Sequence, residues 1–261
     1  MKDLIAATST KNHAMSDTIL DWLELYGEHK GFVSDTELET YNPKTDFTKY
    51  VIQKGIEFER LIKEFIENEI PIEVVNFDGN ISEDSFSETI SKMCDGVPII
   101  YQAPLKNMQN KTFGVPDFLF RSDILNKLFP YTIPEDEVKN NAPNISDRQY
   151  HYRVVDVKFI TLNLKSDNQL STSNWDYMMQ IFIYNQALGL TQGYTPPEGY
   201  LLGRRWKTSQ ERGNKFTDKL ARIPNIAESK SKGKIKSNVE NAIEWLHKVK
   251  NEGDQWQVTP E

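Results

Sequence analysis

Residues 152–159 read Tyr-Arg-Val-Val-Asp-Val-Lys-Phe. β-Branched and aromatic residues make this run a strand. Strand geometry then puts Asp156 and Lys158, two apart, on one face of a sheet. Residues 114–121, Gly-Val-Pro-Asp-Phe-Leu-Phe-Arg, have the same character, with Asp117 following a proline at the mouth of the strand. Two carboxylates on neighbouring strands can hold a hard cation. An ammonium beside them can steer or polarise a water. Together they are the minimum apparatus for metal-assisted cleavage of a phosphodiester.

Two further stretches bracket this pair. Upstream lies Gly55-Ile56-Glu57-Phe58-Glu59, and downstream lies Gln180-Ile181-Phe182-Ile183-Tyr184. With Pro116-Asp117 and Asp156-Val157-Lys158 between them, the chain resembles the PD-(D/E)XK nuclease superfamily. The upstream glutamate helix and the downstream Q-x-x-x-Y helix are similar to those of its RecB-like, lambda-exonuclease-like branch. The resemblance covers residues 48–205. It implies an α/β fold, a restriction-endonuclease-like αβββαβ core with a small mixed sheet flanked by helices, here with extra N- and C-terminal helices.

The same resemblance implies an enzyme. It would be a Mg2+- or Mn2+-dependent nuclease hydrolysing DNA, as an exo- or endonuclease. Asp117, Asp156, Glu59 and the backbone carbonyl of Val157 would be the metal ligands, and Lys158 would position or activate the attacking water. Gln180 and Tyr184 would bond to DNA or to the active-site backbone. An RNA endonuclease of the same fold and a non-catalytic nucleic-acid-binding module are the alternatives. The single cysteine, Cys94, excludes the four-cysteine iron–sulfur cluster of some relatives.

Without the resemblance, several of these residues read otherwise. Glu57 and Glu59 are about 200° apart on a helix and cannot both face one site. Glu59 alone reads as one of the exposed acids, with Glu64, Glu67 and Glu69. Tyr184 alone reads as a core aromatic with a satisfied hydroxyl. Cys94 has no motif around it and reads as a small buried residue.

Charge divides the chain. Its net charge is -7, yet residues 204–236 hold eleven Lys or Arg against three acids. An acidic body with a basic arm can hold metal in the body and a polyanion on the arm. Arg204, Arg205, Trp206 and Lys207 are therefore the candidate nucleic-acid contacts. The alternatives are that Trp206 packs under the C-terminal helix and that Lys230, Lys232, Lys234 and Lys236 decorate a solvated loop. No apolar run approaches the ~18 residues that span a bilayer, and the N-terminus lacks the apolar stretch of a signal peptide. No membrane association and an intracellular location, cytoplasm or nucleus, are the expectations.

In order, periodicity and punctuation predict a helix over 15–26, with Ser16 as N-cap, and a polar connection over 31–48. A long helix over 47–70 follows, ended by Pro71. Residues 99–105 and 114–121 are read as a β-hairpin that carries Asp117 on its second arm. Residues 122–150, rich in proline and acids, are read as a partly mobile insertion at the rim of the cleft. Then come a helix over 173–188 stopped by Gly189, a short strand over 199–203, and a helix over 239–249. The expected organisation is an N-terminal helical extension (1–46), a nuclease core (47–206) with its insertion, and a basic arm with C-terminal helix (207–261).

Overall fold

Residues 3–69, 71–171, 174–225 and 233–258 are described by the structure, a computed structural model, with backbone alone at 233–234. Lys230, Lys232 and the side chain of Lys234 lie outside the described residues. In chain order the elements are β1 (Ile5–Ala6), α1 (Lys11–Ala14), α2 (Ile19–Trp22), α3 (Phe47–Glu69), β2 (Val74–Asn76), α4 (Glu83–Asp95), β3 (Ile99–Tyr101), β4 (Leu105–Asn107) and β5 (Thr112–Gly114). They continue with β6 (Phe118–Arg121), α5 (Ser122–Leu128), α6 (Glu135–Val138), β7 (Tyr152–Asn163), α7 (Trp175–Gln192), β8 (Glu198–Lys207), β9 (Arg212–Gly213), β10 (Ala221–Pro224) and α8 (Gly233–Glu252).

The main sheet runs β10-β8-β7-β6-β3-β2, with β9 paired to the end of β8. It is mixed: β7 lies parallel to β8 and antiparallel to β6. Alternation along β7 divides the interior in two. Tyr152 and Val154 pack in one apolar cluster with Ile181 and Leu188 of α7 and Val239 and Ala242 of α8. Val155 and Val157 pack in the other with Phe58, Ile62 and Ile66 of α3 and Ile124 and Leu125 of α5. Helix α7 is buried on nearly every side, which is why its residues are apolar all round. The chain is thus a mixed α/β protein with helices on both faces of a mixed sheet. Among the described residues no helix is long and apolar enough to cross a membrane.

The expected hairpin divides between two sheets. β3 pairs with β6 in the main sheet, while β4 pairs with β5 in a small sheet completed by β1. Gln102, in the left-handed region at φ 53, and Pro104 break the first arm, and Pro116 breaks the second. Asp117 therefore sits at the step from one sheet to the other.

The stretch 122–150 is also placed differently from expectation. β6 and β7 are antiparallel, with Arg121 opposite Tyr152, so the connection between them leaves at the end of the sheet away from Asp117 and Lys158. Its Ile124, Leu125, Phe129, Ile133 and Ala142 are buried core residues. The basic stretch begins as strand: Arg205 to Lys207 extend β8 against β7, and residues 221–224 form the edge strand β10.

Three smaller readings change as well. Ser16 has φ 61 and interrupts the N-terminal helix, Cys94 is exposed, and α7 runs through Gly189 to a left-handed cap at Gly193. Residues near the two ends of the described chain clasp one another. Trp22, fully buried, donates to the Gly253 carbonyl at 2.6 Å, and Trp245 donates to Asp21 at 2.8 Å.

Candidate active site

The register Phe118↔Val155 brings Asp117, one residue earlier on its strand, beside Asp156, one residue later on β7. Extended one step further, Pro116 stands opposite Val157. In an antiparallel pair such residues would exchange both backbone hydrogen bonds, but proline has no N–H. The Val157 N–H instead donates to Asp117 Oδ2 at 2.6 Å. The Val157 carbonyl, on the same side, is offered no ladder donor by Pro116. The proline thus frees one backbone oxygen at the place where two carboxylates meet.

The charges here are strongly coupled. Asp156 is 1% exposed, and its Oδ2 accepts no hydrogen bond of good geometry among the described residues. Lys158 Nζ stands 2.6 Å from that oxygen as an ion pair. Burial, then the charge of Asp156, push the Asp117 pKa well above the usual carboxylate range, against the pull of Lys158. Burial works against the Lys158 ammonium, but Asp156 and Asp117 outweigh it and raise its pKa. One ammonium between two carboxylates leaves the group a cation short when both acids are ionised. A buried carboxylate oxygen held by the Lys158 ammonium alone among the described residues, a carbonyl that Pro116 cannot bond and a surplus of carboxylate are a donor set suited to a hard divalent ion.

Glu59 approaches from α3, in the layer on the other face of the sheet. Its charge raises the Asp117 pKa, so it is near. Still, among the described residues no three His, Cys, Asp or Glu side chains stand as a group that could hold a metal ion. Glu59 Oε1 is held by Tyr101 Oη at 2.7 Å and Gln102 Nε2 at 2.9 Å. The backbone N–H of Gln102 also donates to the Asp117 carbonyl at 2.8 Å. Gln102 therefore ties Glu59 to the Asp117 strand from a strained left-handed conformation. Tyr101 and Gln102 escaped the sequence reading; their signal was a polar end to an apolar strand just before Ala103-Pro104. Gly55 faces open space, and nothing in the structure explains a glycine there.

Gln180 and Tyr184 meet each other, one helical turn apart. Gln180 Nε2 donates to Tyr184 Oη at 2.7 Å, and both residues are buried. Burial first, then the nearby Asp156 charge, raise the Tyr184 pKa. The phenol thus lies buried near Asp156 and Lys158 rather than in solvent. Gly114 makes room for it: a Cβ there would lie 2.1 Å from Tyr184 Cε1. Tyr177, from the same helix, puts its ring 5.9 Å from Lys158 Nζ.

The four residues after Gly203 point to different surroundings. Arg204 lays its guanidinium 4.5 Å over the Phe159 ring, and its buried Nε finds no acceptor among the described residues. Arg205 and Lys207 are exposed. Trp206 is 8% exposed, donates to Asp218 at 3.3 Å, and carries Lys219 Nζ 4.2 Å over its ring. Gly213 closes on the same indole. Trp206, a candidate stacking residue by sequence, is a packed core residue with its ring covered.

No model of a known protein family matches the chain, and no curated protein matches it.

Proposed function

We propose that this chain is a metal-dependent nuclease of the PD-(D/E)XK kind, which hydrolyses phosphodiester bonds of DNA. One observation carries the reading. Asp117 at the mouth of β6 and Asp156 and Lys158 within β7 stand together, with Asp156 Oδ2 held among the described residues by the Lys158 ammonium alone and Asp117 electrostatically strained. Such an arrangement is costly for folding and gains a purpose if it binds a cation. The order α3, β3, β6, β7, α7, β8 also supports it, being the helix, three strands, helix, strand of the expected core.

Asp117, Asp156 and the Val157 carbonyl would hold Mg2+ or Mn2+, with Glu59 as the outermost carboxylate. The bound ion would supply Lewis-acid polarisation of the phosphoryl group and a more acidic water. Lys158 keeps its proton and so acts as a fixed positive charge beside the phosphate and as a hydrogen-bond donor to the attacking water. Asp117, itself held by the Val157 N–H, fixes the direction of its free oxygen. Tyr184 and Gln180 form a rigid, water-excluding floor under Asp156 and Lys158. Gln102 and Tyr101 orient Glu59. Arg204 and Arg205 offer charge to the phosphodiester backbone without regard to sequence.

The test is incubation of the purified chain with single-stranded DNA, duplex DNA and RNA, each with Mg2+, Mn2+ or chelator. Metal-dependent cleavage of DNA that is lost in Asp156→Asn is expected. Metal-dependent cleavage confined to RNA would favour the endoribonuclease reading. Binding without any cleavage would leave a non-catalytic module.

A further inference from the structure

Helix α3 is covered along only half its length. Phe58, Ile62 and Ile66 are buried against the sheet. The same stripe continues upstream to Val51 and Phe47, seven and eleven residues before Phe58, with Tyr50 on its flank. There it is bare: Phe47 is 75% exposed and Tyr50 55%. The topology says where this bare part lies. α3 leads into β2, which starts beside Ile99, at the end of the sheet away from Asp117. α3 therefore starts at the Asp117 end, and its first turns, roughly 16 Å at 1.5 Å per residue, run past the ends of β3 and β6, where β7 continues to Asn163. The face that packs on the sheet below becomes an overhang on the α3 side of the sheet, at the end where Asp117 lies.

The chemistry of the overhang is mixed in a particular way. Phe47 and Tyr50 stack on each other at 6.5 Å and 29°. Lys49 Nζ lies 5.0 Å over Tyr41, and Lys54 Nζ lies 5.8 Å over Tyr50. Rings beside the Lys49 ammonium, with Lys54 already paired to Glu57 at 2.6 Å, complement a strand of bases and phosphates, and are poorly suited to a purely apolar partner. A second, independent observation lies at the foot of the overhang. Phe58 packs on Phe159 at 5.7 Å, and Phe159 carries Arg204, whose buried Nε–H has no acceptor among the described residues. A buried donor left without an acceptor is costly, and a phosphate oxygen would satisfy it.

We propose that the first three turns of α3 form a stacking ledge for an unpaired stretch of the substrate strand. Bases lie against Phe47 and Tyr50, and a phosphate of the same strand meets Arg204. A paired duplex hides its base faces and gains nothing from the rings. The ledge thus selects single-stranded regions or frayed ends. This deepens the nuclease reading and rests on it for the word substrate, but its own test is binding.

The probes are fluorescein-labelled oligo(dT) and a blunt DNA hairpin, titrated by anisotropy with Ca2+ in place of Mg2+. Phe47→Ala/Tyr50→Ala should weaken oligo(dT) binding by about tenfold or more and leave hairpin binding within about threefold. Phe47→Trp/Tyr50→Trp should restore it. Ile52→Ala/Ile56→Ala, on the other side of the helix, should change neither. All these side chains are exposed, so unchanged melting should accompany each variant. Unchanged oligo(dT) affinity in the alanine pair overturns the proposal, as does an equal loss on both probes. A shift from dimer to monomer on sedimentation, with oligo(dT) affinity kept, overturns it in favour of a second copy of the chain. Ring-dependent binding by a chain that cleaves nothing with Mg2+ or Mn2+ would keep the ledge and discard the nuclease. Normal cleavage and binding in the alanine pair would do the reverse.

Discussion

Replacing Gly114 and Gly55 by alanine should move stability in opposite directions. Neither glycine has a positive φ, so alanine strains neither backbone. Where space allows, the change reduces unfolded-state freedom and stabilises by ~0.4–1 kcal/mol. Gly55 lies within α3, and an alanine Cβ there would meet no atom within 4 Å, so Gly55→Ala should raise the melting temperature by about 2–4 °C. At Gly114 the new Cβ would lie 2.1 Å from Tyr184 Cε1, 2.7 Å from Cδ1 and 3.2 Å from Ala7 Cβ. Ordinary carbon contact requires the ring to retreat by more than about 1 Å. Tyr184 is 2% exposed and bonded to Gln180, so the ring can retreat only against its packed neighbours. Overpacking of this kind costs roughly 1–3 kcal/mol, so Gly114→Ala should lower the melting temperature by about 3–10 °C. Cleavage should fall with it, because the displaced ring lies near Asp156 and Lys158. Calorimetry of both variants and of Gly114→Ala/Tyr184→Leu tests this. The double variant should recover about 1 kcal/mol or more relative to the sum of the singles. A Gly114→Ala chain that melts at or above wild type would refute the packing argument.

Asp117→Asn keeps an oxygen for the Val157 N–H but removes a charge, so cleavage should drop at least ~100-fold while melting stays level or rises, because repulsion is relieved; single-turnover cleavage and a melt check both halves. Gln102→Gly keeps the left-handed backbone and deletes one of the two donors on Glu59, so the Mn2+ concentration for half-maximal cleavage and the Mn2+ dissociation constant from calorimetry should rise together, by about two- to tenfold. Burial, then the Arg153 charge, lower the His151 pKa to about 3 in the fold, below its ordinary 6.5. The unfolded chain therefore takes up a proton that the folded chain refuses. His151 contributes full stability above pH 6.5 and loses it as pH falls from 6.5 toward 3, at up to about 1.4 kcal/mol per pH unit. Urea midpoints at pH 7 and pH 5 should show a smaller drop in His151→Asn than in wild type.

Local chemistry made the centre of the molecule legible. Asp156 and Lys158 share a face because a strand alternates, and no distant contact can change that. The Pro116 break similarly marks its own position. What stayed hidden depends on partners far along the chain. The apolar stripe of α3 is visible by its period, but the same period describes a buried half and a bare half. Only the lengths of β3, β6 and β7 decide where cover ends. Arg204 to Lys207 read as the start of a basic arm after the last strand, yet β7 runs on past a register shift after Lys158 and supplies them with a neighbour. The placement of 122–150 follows from strand direction, which composition does not encode. Trp206 had two readings because indole suits both a base and a core; Gly213 and Asp218 decide for the core.

The clasp between residues 4–30 and 245–255 sets an order in time. Trp22 and the Gly253 carbonyl are separated by 231 residues. At 5–20 residues per second, Trp22 waits roughly 10–45 s on the ribosome for its acceptor. β3, β6, β7 and β8 all emerge in that interval, so the sheet and its charged end can assemble while the clasp is still open. During those seconds the indole that ends fully buried lacks the shelter of residues 245–255. Closure of this 231-residue loop thus follows the sheet, when most of its entropy has already been removed by the folded strands between.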